Sequence, residues 1–224
     1  MKIAIISDVH GNYEALKQVL LMIEDMGIKE IFCLGDVVGY YSQVNECCNE
    51  IRERQIPCLM GNHDWYMVGG GYCLRSQSVN DTLAYQRRII TQENLDWLKT
   101  FQFQFVMDDI RMVHGGWADP IDEYLEPSEA YFSKVEGKIF ISGHTHIQQV
   151  RFYSGKTYCN PGSVGQPRDN DPRAAFAVLS NGKFELHRTT YNMEKVFELM
   201  NKAGFNDYYY GSLKTGAKNL RRLE

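Results

Sequence analysis

The sequence predicts an α/β protein in which alternating strands and helices are followed by antiparallel hairpins. Short apolar runs recur in the N-terminal part of the chain, and each ends in glycine or polar residues, as buried strands do. Segments with apolar residues at helical spacing separate the first three runs. Further on, strand-like runs flank Ser154-Gly155 and Asn181-Gly182, and both dipeptides are typical of hairpin turns.

Five apolar runs are the predicted strands of the first part. They read KIAIIS (2–7), EIFCL (30–34), IPCLM (56–60), IRMV (110–113) and KIFIS (138–142). The first predicted helix begins after Asn12 and stops at Gly27, and its apolar face consists of Leu16, Val19, Leu20 and Ile23. The second helix repeats this spacing in Val44, Cys47, Cys48 and Ile51. This β-α-β-α-β order predicts a parallel sheet with helices on its faces.

The remaining segments are predicted as helices, hairpins and loops. Helices are expected near Asn80–Ile90, Thr91–Leu98 and Met193–Lys202, and Gly69–Gly71 is expected to form a mobile loop. The hairpins pair QQVRFY with KTYCN and RAAFAVL with KFELHRTT. We expect one domain over residues 1–192, with a C-terminal helix and tail over 193–224 that pack on it or trail from it.

Composition excludes several classes of protein. Hydrophobic residues make up 44% and charged residues 23% of the chain, as in soluble globular proteins. The net charge of −4 gives no overall positive field for nucleic acid or an anionic membrane, although a local basic patch would leave nucleic-acid binding open. There is no secretory signal and no run of the roughly 20 apolar residues that a membrane helix needs, so we expect a cytoplasmic protein. The six cysteines form no C-x-x-C pair, which argues against a zinc ribbon.

Five of the six histidines lie at or just past the ends of predicted strands. They are His10, His63, His114, His144 and His146, whereas we expect His187 to be structural or on the surface. The same strand ends carry Asp8, Asp36, Asn62 and Asp64. Ligands of open α/β sheets bind at the carboxyl ends of strands, so these side chains are expected to converge on one crevice. Chance placement of structural histidines does not account for five such positions.

Imidazole nitrogens mixed with carboxylates favour transition-metal ions, namely manganese, iron, zinc, cobalt or nickel. Seven candidate ligands are too many for a single four-coordinate zinc ion: Asp8, His10, Asp36, Asn62, His114, His144 and His146. Two ions that share one bridging carboxylate fit this number. Two metals about 3.5–4 Å apart suit in-line displacement at phosphorus, because they stabilise both the attacking and the departing oxygen.

Five short segments resemble the signature blocks of the calcineurin-like metallophosphoesterases. They are SDVHGN (7–12), GDVVGY (35–40), GNHD (61–64), VHGG (113–116) and GHTH (143–146), and they stand in the family's order. A later segment, NPGSVGQPRD (160–169), resembles the small bacterial and archaeal phosphodiesterase branch. The resemblance ends near Tyr191. It implies a four-layer αββα sandwich, α/β or α+β by different schemes, with two mixed sheets flanked by helices.

The resemblance also implies a role for each residue. One metal is expected on Asp8, His10 and His146, and the other on Asn62, His114 and His144. Asp36 is expected to bridge them, together with a water or hydroxide. His63 is expected to contact the substrate phosphate and to protonate the departing oxygen, with Asp64 orienting its ring. The family's block often ends in Glu, so Asp64 is a departure.

The expected reaction is hydrolysis of phosphodiesters, and of phosphomonoesters as a further candidate, by attack of the metal-bridging hydroxide in line with the departing oxygen. Arg168 is the candidate phosphate clamp, and a solvated loop arginine is the alternative. The loops Trp65–Tyr72 and Trp117–Tyr124 are expected to set specificity for a small phosphate ester, with nucleotides among the candidates. A non-catalytic metal-binding scaffold, a protein phosphatase and a nuclease are the alternative functions. Tyr208–Tyr210 either pack on the domain or stack on bases.

Overall fold

The structure is a computed structural model that describes residues 2–217, so the predicted tail lies outside the described residues from position 218 onward. Along the chain the elements are β1 (Lys2–Ile6), α1 (Tyr13–Asp25), β2 (Glu30–Cys33), α2 (Val44–Glu53), α3 (Asn62–Gly69), α4 (Gln77–Ile89), α5 (Gln92–Leu98), β3 (Gln104–Met107), β4 (Ile110–Val113), α6 (Glu129–Phe132), β5 (Ile139–Ile141), β6 (Gln149–Tyr153), β7 (Lys156–Asn160), β8 (Ala174–Ser180), β9 (Lys183–Thr189), α7 (Met193–Lys202) and α8 (Asp207–Tyr210). A short 3-10 helix, Gly211–Lys214, follows α8.

The strands form two mixed sheets. The first has the order β2-β1-β8-β9, in which β1 pairs parallel with β2 and antiparallel with β8. The second has the order β3-β4-β5-β7-β6, with parallel pairs in its centre and antiparallel pairs at both edges. The predicted α/β fold with two mixed sheets and flanking helices is therefore confirmed.

Alternating side chains of β1 show how the sheets are stacked. Ile3 and Ile5 pack into a cluster with residues of β4, β5 and β8, which is the core between the two sheets. Ala4 and Ile6 face the opposite way, into a cluster that includes the apolar faces of α1 and α2. Because successive side chains of a strand point to opposite faces, a single five-residue strand serves two cores.

The outer helical layers differ in thickness. On the first sheet, α1 and α2 share one cluster with residues of α3, α4 and α5. On the second sheet, Phe132 of the four-residue α6 packs with Phe140 and Tyr158, and Trp117 lies against them. The longest helices, α1 and α4, have 13 residues, and no helix in residues 2–217 is long and apolar enough to cross a bilayer.

The third predicted strand, IPCLM, is not formed as a strand. It makes only two isolated bridges, Cys33 with Cys58 and Leu59 with Gln102. Pro57 has no N–H to donate to a ladder, although its carbonyl accepts from the Cys33 N–H at 2.9 Å. The segment therefore lies beside β2 but ends almost at once, and the chain turns into α3.

The C-terminal elements pack on the domain through a separate apolar cluster. Val196, Phe197 and Met200 of α7 meet Tyr210 and Leu213 there, and all are buried. Tyr41, which follows the GDVVGY segment, belongs to the same cluster. Helix α7 and the residues as far as Leu213 therefore pack against the end of one of the predicted metal-binding loops.

Replacing Ile5 by alanine tests the core between the sheets. Ile5 is 0% exposed, so the change should lower the free energy of unfolding by about 2–5 kcal/mol through lost burial and a cavity. Urea unfolding measures this value. The matched control is Leu74→Ala, because Leu74 is 99% exposed and its loss should cost less than about 0.5 kcal/mol. Equal effects of the two changes would contradict the described packing.

Candidate metal centre

The loops that follow β1 and β2 bring the first candidate ligands side by side. The N–H of Asp8 donates to the Gly35 carbonyl at 3.0 Å, and the N–H of His10 donates to the Asp36 carbonyl at 2.9 Å. These bonds continue the parallel pairing beyond the strand ends. Side chains that follow neighbouring strands therefore meet at one edge of the sheet.

Five of the candidate ligands have a left-handed backbone. Their φ angles are 56° at Asp8, 54° at His10, 54° at Asp36, 63° at His144 and 60° at His146. A residue other than glycine held in this region costs on the order of 1 kcal/mol or more, and such residues cluster at functional sites. This repeated deviation distinguishes the strand ends from ordinary turns.

The other candidate residues come from three further positions. His114 follows β4, His144 and His146 follow β5, and Asn62 and His63 lie in the first turn of α3. The structure brings together nine predicted side chains, all buried: Asp8, His10, Asp36, Asn62, His63, Asp64, His114, His144 and His146. His187 lies apart from them, in β9, where it stacks on Phe176.

Asp8, His10 and His146 form the first donor cluster, with ligand atoms within 4.8 Å of one another. The Nε2 atom of His146 lies 3.2 Å from Asp8 Oδ1 and 3.1 Å from His10 Nε2. Asp8 Oδ1 is buried and accepts no hydrogen bond within residues 2–217. Three donor atoms thus face a common point, which is the arrangement that holds a cation.

Asp36, His114 and His144 form the second donor cluster, also within 4.8 Å. Three buried atoms that could bind a metal have no hydrogen-bond partner in the described chain: Asn62 Oδ1, His114 Nε2 and His144 Nε2. A third group joins His63 to His10 and Asp36, with His63 Nε2 at 4.0 Å from Asp36 Oδ2. Donor positions alone therefore do not separate His63 from the ligands.

Backbone carbonyls fix the ring orientation of three histidines. The Nδ1 atoms of His10, His114 and His146 lie 3.0, 2.9 and 2.5 Å from the carbonyls of Val38, Leu34 and Gln166. A carbonyl only accepts, so each Nδ1 carries a proton, and in the neutral form of each ring Nε2 presents its lone pair to the site. Two such lone pairs at 3.1 Å repel each other, and a cation between them removes the repulsion. The donor set therefore fits a metal ion.

Burial sets the protonation of most of these rings. It lowers the pKa of His63 to about 4 and of His144 to about 2, and it lowers the pKa of His10 and His146 as well. His114 is the exception: burial lowers its pKa, but Asp36 outweighs this effect and raises it to about 10. A proton on that ring occupies the place that a cation would take. The other four rings are neutral at pH 7, which is the form that binds metal.

Asp64 makes no hydrogen bond to the imidazole of His63 within residues 2–217, so the expected orienting role is not exerted through a direct bond. Its two carboxylate oxygens accept from the backbone N–H groups of Asp36, Val37, Val38 and Gly61, at 2.7 to 3.2 Å. The Nδ1 atom of His63 has no hydrogen-bond partner in the described chain. Asp64 therefore holds the Asp36 loop against the start of α3, and it acts on His63 only through the backbone.

The ring of His63 rests on Gly39. A Cβ at Gly39 would lie 2.2 Å from His63 Nδ1, so a side chain there would displace the ring. Gln86 of α4 holds this glycine by both peptide groups: its Oε1 accepts from the Gly39 N–H at 2.7 Å, and its Nε2 donates to the Gly39 carbonyl at 3.0 Å. Gly39 and Gln86 are positioning residues that the sequence analysis missed. The second glycine of GDVVGY was the available signal.

Arg168 is held at the rim of the site. Its guanidinium donates to the Tyr40 hydroxyl at 2.8 Å and to Gln166 Oε1 at 2.7 Å. The Tyr40 ring lies 4.8 Å from the ring of His63. The arginine is thus tied to the residues around His63 instead of extending freely into solvent. Burial is the main cause of the low pKa of His63, Asp36 opposes it, and the positive charge of Arg168 lowers this pKa further.

A second group of residues covers the side of His144. The Tyr124 ring lies 4.2 Å from the His144 ring, and the Arg75 guanidinium lies 5.2 Å from the centre of the Tyr124 ring. Arg75 also forms an ion pair with Asp122, whose Oδ1 is 3.6 Å from His144 Nε2. Nothing in the spacing of these residues connects Arg75 with Asp122 and Tyr124, so of this group only the segment Trp117–Tyr124 was predicted to matter.

The NPGSVGQPRD segment is hydrogen-bonded to the turns that carry the candidate ligands. The N–H of Gly165 donates to the Asp8 carbonyl at 2.9 Å, and the Ser163 hydroxyl donates to the same carbonyl at 2.7 Å. Asn160 Nδ2 donates to the Gly143 carbonyl at 2.7 Å. These bonds fix the backbone at two ligand-bearing turns. Small and amide residues crowded into one segment were the sequence signal for this role.

Comparison with known proteins identifies the family. The family model described as the calcineurin-like phosphoesterase superfamily domain matches residues 1–182. The chain belongs to the calcineurin-like phosphoesterase superfamily. An uncharacterized protein of Methanocaldococcus jannaschii is 34% identical over 222 residues, covering 88% of this chain and 90% of that protein. The family is metal-dependent, and the donor clusters of this phosphoesterase are its candidate metal-binding groups.

Solved structures agree with this membership. A metallophosphoesterase from Sphaerobacter thermophilus superimposes with a TM-score of 0.83 at 30% identity, covering 97% of this chain and 99% of that one. A hypothetical protein from Pyrococcus horikoshii superimposes with a TM-score of 0.85 at 17% identity and the same coverage, which shows a shared fold. The phosphoesterase thus shares its fold over nearly its whole length, including residues beyond the matched family model.

Acid should destabilise the metal-free phosphoesterase. Four buried histidines have a lowered pKa in the folded protein: His10, His63, His144 and His146. Just below pH 6.5 they bind protons only when the chain unfolds. The stability that they contribute is therefore present above pH 6.5 and is lost as the pH falls below that value. His63 alone should account for about 2 kcal/mol at pH 5. Burial and Asp36 raise the pKa of Asp64 to about 7, so protonation of Asp64 stabilises the fold as the pH falls. This gain offsets the loss from about one histidine and not the loss from four.

Thermal unfolding of chelator-treated protein at pH 7 and pH 5 checks this expectation. The midpoint should be lower at pH 5. His114, with a raised pKa, adds nothing to this loss, because its contribution is fully present below 6.5. A midpoint that is unchanged or higher at pH 5 would contradict the neutral state of the four rings.

Proposed function

We propose that the protein hydrolyses phosphodiesters, and phosphomonoesters to a lesser extent, at a centre of two divalent metal ions. One observation carries the proposal: Asp36, a member of the second donor cluster, also lies beside the first. Its Oδ2 atom is 3.7 Å from His10 Nε2 in the first cluster and 3.4 Å from His114 Nε2 in the second. A single carboxylate in this position can serve two cations at once.

The chain's own residues suggest how the ions are divided. Asp8, His10 and His146 would hold one ion, and Asn62, His114 and His144 the other, with Asp36 shared. The mixture of imidazole, carboxylate and amide oxygen suits manganese, iron, zinc, cobalt or nickel. When bound, such ions supply Lewis-acid chemistry, lowering the pKa of water and offsetting charge on phosphate oxygens.

His63 is proposed as the general acid. It is buried beside Asp36, is not needed to complete either ligand set, and lines the cleft that leads to the site. Burial keeps its pKa near 4 in the free protein, so it is neutral at pH 7. A phosphate anion placed against the ring would raise that pKa, because an opposite charge favours the protonated form. The ring would then hold a proton at Nε2 for the departing oxygen.

Arg168 is proposed as the phosphate clamp. It lines the same cleft as His63, and Tyr40 and Gln166 hold its guanidinium in place. A planar guanidinium with a fixed orientation suits two oxygens of one phosphate. Asp64 is proposed to position the acid by fixing the Asp36 loop and the start of α3.

Turnover of bis-p-nitrophenyl phosphate and p-nitrophenyl phosphate with added Mn²⁺ is the direct test of the proposal. Release of p-nitrophenolate that depends on a divalent metal, and is faster from the diester, would support it. Metal binding without turnover of any ester would instead favour a scaffold.

Replacing His63 by asparagine should lower kcat by at least about 10²-fold, because the departing oxygen loses its proton donor. Both metals should remain, since the variant keeps every proposed ligand. Elemental analysis of the purified variant beside the turnover assay measures both effects. Loss of metal in this variant would mean that His63 is a ligand.

Replacing Asp36 by asparagine should weaken both metal sites together. An amide carries no charge, so it neither offsets two cations nor holds the His114 ring, whose Nε2 lies 3.4 Å away. Elemental analysis should find both ions reduced, and Asp8→Asn is the matched control that should weaken only one. Full occupancy of two ions in the Asp36 variant would remove the bridging role.

A further inference from the structure

A cleft runs from the metal centre to the C-terminal segment, defined here as residues 206–217. Its volume is ≈ 350 Å³, within the range of small-molecule sites. Asn62, His63 and Arg168 line its near end. The far end is formed by Tyr208 and Ser212 of the C-terminal segment and by the start of α4. A phosphate group occupies only a small part of such a space, so most of it remains for the organic part of an ester.

The C-terminal segment is anchored where it meets the cleft. The Tyr209 hydroxyl donates to Asp81 Oδ2 of α4 at 2.9 Å. Tyr210 is buried and stacks on Phe197, and the N–H of Asn170 donates to the Gly216 carbonyl at 2.9 Å. The segment is thus bonded to α4, to α7 and to the loop after Arg168. It forms a fixed wall, although it lies beyond the residues matched by the family model, which end at 182.

The far end of the cleft is polar but uncharged. Ser76, Ser78, Thr82 and Ser212 line it. The Ser76 hydroxyl pairs with that of Ser78, and the Thr82 hydroxyl donates to backbone carbonyls of α4, yet each hydroxyl oxygen can still accept a further hydrogen bond. The Ser212 hydroxyl has no hydrogen-bond partner in the described chain and can pair with a ligand. The cations among the described lining residues are Arg75 and Arg168, and Arg75 is already paired with Asp122. Within residues 2–217 a second phosphate would meet no unpaired cation at the far end, and an acyl chain would leave the acceptor capacity of these hydroxyls unused.

We infer that the C-terminal segment selects the substrate, and that the cleft takes a phosphate ester whose organic part is a neutral, hydroxyl-bearing ring, as in a nucleoside or a sugar. This inference rests on the proposed function. Ser212 is the specificity-determining residue, because its hydroxyl faces the far end of the cleft. Ring hydroxyls pair with the hydroxyls of α4 and the C-terminal segment while the phosphate meets Arg168 and the metal centre.

Two substrates with the same reacting bond test the inference. Thymidine 5′-(p-nitrophenyl phosphate) carries a hydroxylated ring, and methyl p-nitrophenyl phosphate carries a group too small to reach the far wall. Replacing Ser212 by tryptophan fills the far end. It should lower kcat/KM for the thymidine ester by about tenfold or more, chiefly through KM, and change the methyl ester less than about twofold.

Two further variants complete the design. Ser212→Ala keeps the space but removes the hydroxyl, and it should raise KM for the thymidine ester alone by a few-fold. Thr215→Trp is the matched control, because Thr215 is exposed and does not line the cleft. It should behave as the parent protein toward both esters. Thermal unfolding confirms that each variant is folded.

The outcomes separate the inference from the proposed function. If the parent protein hydrolyses neither ester with any divalent metal, the proposed function fails. The role of the C-terminal segment is then tested by calorimetry, which compares the binding of thymidine 5′-monophosphate with that of methyl phosphate in the parent protein and in Ser212→Trp. Equal losses for both ligands in Ser212→Trp, or no loss for either, would overturn the inference. Competition by nucleoside 5′-monophosphates and by hexose phosphates distinguishes the two sources of the ring.

Discussion

The left-handed backbone at the strand ends is the constraint on which the site depends. Each such residue other than glycine has an energetic cost, and the fold offsets it by hydrogen bonds between loops, as between Asp8 and Gly35. The left-handed conformation makes the turns sharp, and side chains two residues apart, such as Asp8 and His10, therefore reach the same donor cluster. The same turns bring the backbone of Gly165 against the Asp8 carbonyl. The hydrogen bonds that stabilise these loops therefore also set the positions of the candidate ligand atoms.

Asp64 links this backbone to the chemistry. The carboxyl group of Asp64 accepts hydrogen bonds from four backbone N–H groups and so holds two loops together. It ties the Asp36 loop to the start of α3, so the carboxylate of Asp36 and the ring of His63 keep a fixed relation.

Much of this arrangement could be predicted from the sequence, because periodicity and turn residues are local signals. The strand KIAIIS, the helix after Asn12 and both hairpins follow from such patterns, and histidines at strand ends indicated a metal centre. The features that could not be predicted depend on contacts between residues that are far apart in the sequence. Pro57 limited a predicted strand to isolated bridges, and the contacts of Asp64 depend on loops that meet only after folding. Gln86 reaches Gly39 across 47 positions, and no spacing rule connects them.

Helix α4 connects the cleft to the support of His63. Ser78 and Thr82 near its start line the cleft, and Gln86, one turn before its end, is hydrogen-bonded to Gly39, on which the ring of His63 rests. One helix of 13 residues therefore contributes both a wall of the cleft and a contact that fixes the ring. A core substitution that shifts α4 would alter the shape of the cleft and the position of His63 together.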